Sequence, residues 1–98
     1  MSLPVRLRPN VSRELDVIRA EYDLQRPGLG DDFYAEFLRL LDRVGNNPYL
    51  YGLVRGQVRA APVHRYPYIA YYRVESDHTV IVTVVHERRS PRVWQRRI

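Results

Sequence analysis

Hydrophobic residues recur along this chain with two different periods, and the change from one to the other divides it. Val11, Leu15, Ile18 and Tyr22 follow one another at intervals of four, three and four. Phe33, Phe37, Leu40 and Val44 repeat the same intervals, with Leu41 widening the stripe. That spacing puts each set on one face of a helix. Asn10 or Ser12 is placed to cap the first helix, because either side chain can accept from a free amide of the first turn. Pro27-Gly28-Leu29-Gly30 ends it with a turn containing two residues free to take positive φ. Asp31 and Asp32 suit the positive end of the second helix, and Gly45-Asn46-Asn47-Pro48 stops it. Two matched helices on a short link predict an antiparallel helical hairpin.

On either side of the hairpin the period is two. Val5 and Leu7 alternate with Arg6 and Arg8 between Pro4 and Pro9, which predicts a short strand at a sheet edge. Tyr49, Tyr51, Gly52 and Gly56 form an irregular link. From Gln57, Val58, Ala60 and Pro62 alternate with Arg59, Ala61 and Val63 in a strand whose proline leaves one side without a ladder partner. After Tyr66-Pro67, the aromatic run Tyr68 to Val74 is a second strand, and Glu75 to His78 is a hairpin connection. Val80, Ile81, Val82, Thr83, Val84 and Val85 are all β-branched, as a central buried strand requires. The expected fold is α+β. An N-terminal strand and a helical hairpin pack with an antiparallel sheet completed by a three-stranded meander. Ser90 before Pro91 predicts a short C-terminal helical turn carrying Trp94.

Composition narrows the classes open to such a fold. The 98 residues suffice for a single domain, 1–98, with one modest core. There is no cysteine, so packing rather than disulfides or thiolate-bound metal holds it. No apolar run reaches bilayer length and the start has no signal-peptide core, so a soluble cytoplasmic protein is expected, with no membrane partner. Met1 to Leu3 read as a remnant of cloning. Residues 1–50 carry seven arginines and eight carboxylates, whereas residues 51–98 carry nine arginines and three carboxylates. The positive field therefore belongs to the C-terminal half. All sixteen cations are arginine, which removes lysine-based covalent or general-base chemistry.

Few residues carry candidate chemistry. His64, His78 and His86 lack the spacing of a metal site, and no phosphate-binding loop, nucleophile motif or cofactor fingerprint is present. His86 ends the buried strand beside Arg88 and Arg89, whose charge favours the neutral ring, so it suits either a general base or a structural hydrogen bond. Tyr66, Tyr68, Tyr71 and Tyr72 suit either core packing or a platform for bases. Tyr68 and Tyr72 share one strand face, and Tyr71 points with Ile69 to the other. Arg55, Arg59, Arg65 and Arg73 suggest a shared basic face leading to the tail. Trp94 either packs back on the sheet or anchors a partner.

Taken together, Gln57-Val58-Arg59, Tyr66-Pro67-Tyr68 with Ile69 and Tyr71, and His86, Arg88, Arg89, Pro91 and Trp94 resemble the ParE-type toxins of the RelE/ParE superfamily. Pro27 to Gly30 followed by Phe33 and Phe37, and the Pro48 to Gly52 link, fit the same pattern. The resemblance implies the toxin of a type II toxin-antitoxin pair, involved in plasmid stabilisation or stress response and held in a hetero-oligomer by a small antitoxin. ParE-like members act on DNA gyrase, whereas RelE-like members cut messenger RNA on the ribosome. RelE-like nucleases rely on lysines, arginine and a late tyrosine, and this chain has no lysine and no tyrosine after Tyr72. His86 with Arg59, Arg65 and Glu87 keeps the nuclease alternative open, and a non-toxic antitoxin-binding regulator is a third. A basic half beside two amphipathic helices independently suits an acidic, partly disordered partner that orders on binding. The expected binding set is Arg59, Arg65, His86, Arg88, Arg89, Arg92 and Trp94, without metal or cofactor.

Overall fold

The computed structural model describes residues 2–98, and runs β1 (Val5–Leu7), α1 (Pro9–Gln25), α2 (Leu29–Asn46), β2 (Leu53–Arg55), β3 (Val58–Pro62), β4 (Tyr68–Val74), β5 (Thr79–His86) and α3 (Pro91–Arg97). The five strands form one sheet in the order β1-β5-β4-β3-β2. β3, β4 and β5 make the expected antiparallel meander. β1 takes an edge, but it runs parallel to β5, with Val5, Arg6 and Leu7 opposite Thr79, Val80 and Ile81, so the sheet is mixed. A parallel pair needs a long connection, and everything between Leu7 and Thr79 supplies it. The link after α2 also contains β2, a strand whose three residues are all exposed and which is too short to show alternation.

The helical stripes are buried as their spacing requires. Val11, Leu15 and Ile18 of α1 and Phe33, Phe37, Leu40 and Val44 of α2 lie against Ala61, Val63, Ala70, Tyr72, Ile81 and Val84 of the sheet. Complete burial of each phenylalanine contributes about 1.5–3 kcal/mol. Tyr22, Phe33, Tyr66 and Tyr68 form an aromatic cluster at one end of this layer, with centroid separations of 5.3 to 6.1 Å. The two glycines of the interhelical turn have different jobs. Gly28 takes φ +90°, whereas Gly30 is already in α2, where a Cβ would lie 2.5 Å from the Arg19 carbonyl oxygen of α1. Only Gly28 therefore needs positive φ; Gly30 lets the two helices approach. Asp31 and Asp32 sit in the first turn of α2 and pair with Arg19 and Arg26 at 3.0 and 3.4 Å.

Neither Asn10 nor Ser12 caps α1. The cap is Arg8, with Pro9 in the first turn and no side-chain bond. Asn10 is engaged elsewhere, because β1 pairs only with Thr79 to Ile81 and leaves that side of β5 without a strand beyond Ile81. The β4–β5 register also skips Val82, passing from Tyr71 opposite Thr83 to Tyr72 opposite Ile81. This bulge opens backbone groups toward α1. Asn10 Nδ2 donates to the Val82 carbonyl at 3.0 Å, and the Glu14 carboxylate accepts from the Val84 amide at 2.9 Å and the Thr83 hydroxyl at 3.0 Å. Side chains one turn apart on α1 thus close the edge of β5.

Two outcomes follow from these contacts. Glu14→Ala removes the acceptor for the buried Thr83 hydroxyl and the Val84 amide, which should cost about 2–4 kcal/mol. A urea titration showing a loss under about 0.5 kcal/mol, the scale of an ordinary surface change, would refute this account of the edge. The Tyr22 hydroxyl is pushed up from 10.0 to about 12, first by burial and then by Tyr68, Tyr66 and Glu21. The folded state therefore favours the protonated phenol. Its contribution is intact below pH 10 and disappears as pH rises toward about 12. Tyr22→Phe should flatten the alkaline limb of stability in that window, and an unchanged limb by circular dichroism would exclude this origin.

Candidate functional site

At its C-terminal end β5 delivers His86 to the meeting point of two grooves. The larger, of about 790 Å³, lies between α1, with Arg13, Val17 and Glu21, and the C-terminal segment, with Arg89, Val93 and Arg97. The smaller, of about 460 Å³, opens toward Gln25, Arg65 and Tyr66. Both are lined by Ile18, Glu21, Tyr68 and His86. Arg65 stands at φ +72°, a left-handed conformation uncommon for a side chain of its size, in the turn before β4. The Tyr68 hydroxyl is pushed up, mainly by burial and further by Glu21, with Arg89 opposing. Arg65, His86 and Arg89 thus gather around one tyrosine.

His86 makes two specific contacts there. Its ring meets Tyr68 edge-on at 5.2 Å, and Nδ1 accepts from the Arg88 amide at 3.0 Å. That bond occupies the Nδ1 lone pair, so in the neutral ring Nε2 carries the proton. His86 consequently offers a donor to the groove and fixes the turn into the tail. Glu87 continues that turn, exposed, with its amide bonded to the Pro67 carbonyl at 2.8 Å.

Arg59 does not join this group. It lies opposite Tyr72, whereas His86 lies opposite Tyr68. Four residues of β4 separate these registers, about 13 Å along the strand. Arg59 Nη1 donates to the Tyr51 carbonyl at 2.7 Å, and its guanidinium stacks 5.1 Å from the Tyr49 ring centroid. It has a structural job near the far edge. Arg73 pairs with Glu75 at 3.5 Å on the strand face of Ile69 and Tyr71, and Arg55 belongs to β2. Arg55 and Arg73 both lie opposite Val58 and share that face, whereas Arg59 lies with Leu53 and Tyr72 on the other and Arg65 stands in the turn before β4, so the four do not form the one basic face expected from their sequence proximity.

The tail is divided in use. Ser90 Oγ accepts from the Arg92 amide at 3.3 Å, capping α3 with Pro91 at its start. Trp94 stacks on Tyr71 at 4.5 Å, and with Val93 and Ile98 it covers the sheet face opposite the helical hairpin. The sheet is core on both sides, which explains why none of Tyr68, Tyr71 and Tyr72 is a free platform. Arg97 donates to Glu14 at 3.1 Å and its carbonyl accepts from Arg8 at 2.9 Å. Arg88, Arg89 and Arg92 are exposed, and among the described residues their guanidinium groups have no ion pair or hydrogen bond. Sequence reasoning missed Glu14 and Arg97. The only local signal was the Asn10 and Glu14 pair four apart beside the stripe, and its partner strand lies some seventy residues away.

No group of three metal-ligating side chains converges among the described residues. His78 instead meets Asp77 at 2.7 Å, a hydrogen bond that holds the Asp77 carboxyl below its usual range. The arrangement around His86 can therefore bind an anionic surface through Arg65, Arg88, Arg89 and the Nε2 proton.

Among solved structures, the chain resembles "Chromosomal ParDE TA system from P. aeruginosa", with a TM-score of 0.77 over 87% of this chain and 96% of that one at 15% identity, a likeness of fold. No curated protein sequence matches it. Residues 5–91 match the family described as "ParE toxin of type II toxin-antitoxin system, parDE". The match takes in all five strands, both long helices, His86 and the exposed Arg88 and Arg89, and the chain belongs to the ParE toxin family.

Proposed function

We propose that the chain acts as a toxin by binding DNA gyrase in the cytoplasm and blocking replication, and that a cognate acidic antitoxin neutralises it in a hetero-oligomer. The observation that carries this reading is the contrast at the end of β5. Arg88, Arg89 and Arg92 point unpaired into solvent, while the neighbouring His86 has its basic nitrogen bonded to the Arg88 amide. Such a site supplies charge for docking and no base for proton abstraction. Cleavage of RNA would need that base together with cations on the same phosphate, and Arg59, the nearest strand candidate in sequence to Arg65, is held by Tyr51 and Tyr49 instead.

Trp94 and Arg97 belong to the same reading as supports. They fix α3 against Tyr71 and Glu14, so the turn bearing Arg88 and Arg89 is anchored at both ends. Fixing a charged turn before binding lowers the ordering cost of association.

The replacement of Arg88, Arg89 and Arg92 by alanine should reduce inhibition of gyrase supercoiling by about tenfold or more. Its urea stability should stay within about 0.5 kcal/mol of the parent, because all three are surface side chains. Undiminished inhibition by the triple variant would exclude these residues as the docking group. Cleavage of message in programmed ribosomes with supercoiling unaffected would replace the reading by the nuclease one, and inactivity in both assays would favour a regulator.

A further inference from the structure

The pairing registers align one row of residues across all five strands. Arg6 lies opposite Val80, Val80 opposite Arg73, Arg73 opposite Val58, and Val58 opposite Arg55. Residues paired in this way share a face of the sheet. Val58 belongs to the apolar group beneath α3, so the row lies on the face turned away from the helical hairpin. Three arginines thus stand on β1, β4 and β2, each two strands from the next, or about 10 Å apart at the usual strand spacing. Arg6 and Arg55 are exposed on the two edge strands, and Arg73 is partly buried between them. Among the described residues, none of the three guanidinium groups makes a hydrogen bond. The Arg88 turn is a separate surface, since six residues of β5, about 20 Å, run from Val80 to His86 before it.

The chemistry of the row selects its partner. Only Val80 and Val58 stand between the arginines, and Val58 is 4% exposed, so the row offers fixed charge and little apolar surface. A protein partner needs a desolvated apolar centre. A phosphate backbone is held by cations alone. Single-stranded nucleic acid also needs free aromatic faces for its bases, and Tyr71 and Trp94, the aromatic pair on this face, are stacked on each other. The competing anion is Glu75, 3.5 Å from Arg73; a partly exposed pair of that kind contributes little, so a phosphate can take its place. Asp77, in the same hairpin connection, is engaged by His78 at 2.7 Å. We propose that this row is a second contact surface, for the phosphate backbone of a nucleic-acid duplex, with Arg6, Arg73 and Arg55 each meeting a phosphate. The inference stands apart from the gyrase reading. Joined to it, the duplex is the DNA on which gyrase acts, and the toxin touches both the enzyme and its DNA.

The probe is a fluorescent DNA duplex, with binding read by anisotropy across a range of salt. Three phosphate contacts contribute about −2.7 to the slope of log affinity against log salt, a loss of about fortyfold between 50 and 200 mM. Arg6→Gln, Arg55→Gln and Arg73→Gln together should remove that contribution. The three corresponding lysine substitutions should retain it, because lysine also meets a phosphate as a point charge. Arg6→Gln with Arg55→Gln keeps Arg73 and its Glu75 pair, so it tests the row without disturbing β4, and it should remove about 1.8 of the slope. Arg88→Ala with Arg89→Ala should leave the slope unchanged. The parent's slope persisting in both glutamine variants, an equal loss from the Arg88 and Arg89 change, equal binding of a single strand, or tighter binding of polyglutamate than of the duplex would overturn the proposal. Because the measurement uses DNA without gyrase, its failure leaves the gyrase reading intact, and a parent chain that binds the duplex without inhibiting supercoiling would fault that reading alone.

Discussion

The structure depends on how β5 is closed where β1 stops. A central strand with a bulge and a missing neighbour would leave amide, carbonyl and hydroxyl groups in a largely apolar layer, each costing free energy if unpaired. Glu14 and Asn10 answer for them from α1, one helical turn apart. This fixes the rotation of α1: the polar pair must face the edge of β5, so Val11, Leu15 and Ile18 must face the sheet beneath α2. The orientation of α2 follows through Gly30, whose lack of a side chain admits the Arg19 carbonyl at close range. One carboxylate therefore couples sheet, hairpin and tail, since Arg97 ends on the same group.

That coupling explains why the C-terminal segment is ordered although it is strongly cationic. Its apolar half, Val93, Trp94 and Ile98, covers Tyr71 and Val85, and its terminal arginine meets Glu14. Exposed ion pairs contribute little by themselves. Here Glu14 is mostly buried and already bonded to β5, so Arg97 finds a fixed acceptor and loses less entropy on joining it. The arginines left over, at 88, 89, 92 and 96, are exposed and take part in neither contact. Order in the tail and freedom of its charge have the same cause.

Much of the fold was legible because burial imposes a period. The stripes of α1 and α2 and the β-branched run of β5 could be read directly, and so could the two faces of β4, where Tyr68 and Tyr72 separate from Tyr71. What escaped depended on distant partners. Asn10 has the chemistry of a helix cap, but its amide goes to Val82, so local propensity lost to a tertiary bond. Alternation in Val5 to Leu7 is the same for parallel and antiparallel pairing, so the direction of β1 had no local sign. The site was less legible still. Arg59 and Arg65 are close in sequence, yet the register of β3 on β4 and the left-handed turn at Arg65 send them to different ends of the sheet. No run of neighbouring residues encodes that separation.

The distribution of hydrogen bonds bears on what kind of protein this scaffold can be. Three groups suited to proton transfer are committed internally: His86 to the Arg88 amide, Tyr72 to the Pro48 carbonyl at 2.8 Å, and Glu14 to β5. Groups that remain outward carry fixed positive charge, which guanidinium retains across the physiological range. A nuclease built on the same strands needs the reverse allocation, with a free base aimed into a groove and its cations converging on one phosphate. Converting this arrangement would mean freeing Nδ1 of His86, and the turn that carries Arg88 and Arg89 is held by that bond. The bond that engages Nδ1 of His86 is therefore also the bond that holds the turn presenting the charge of Arg88 and Arg89.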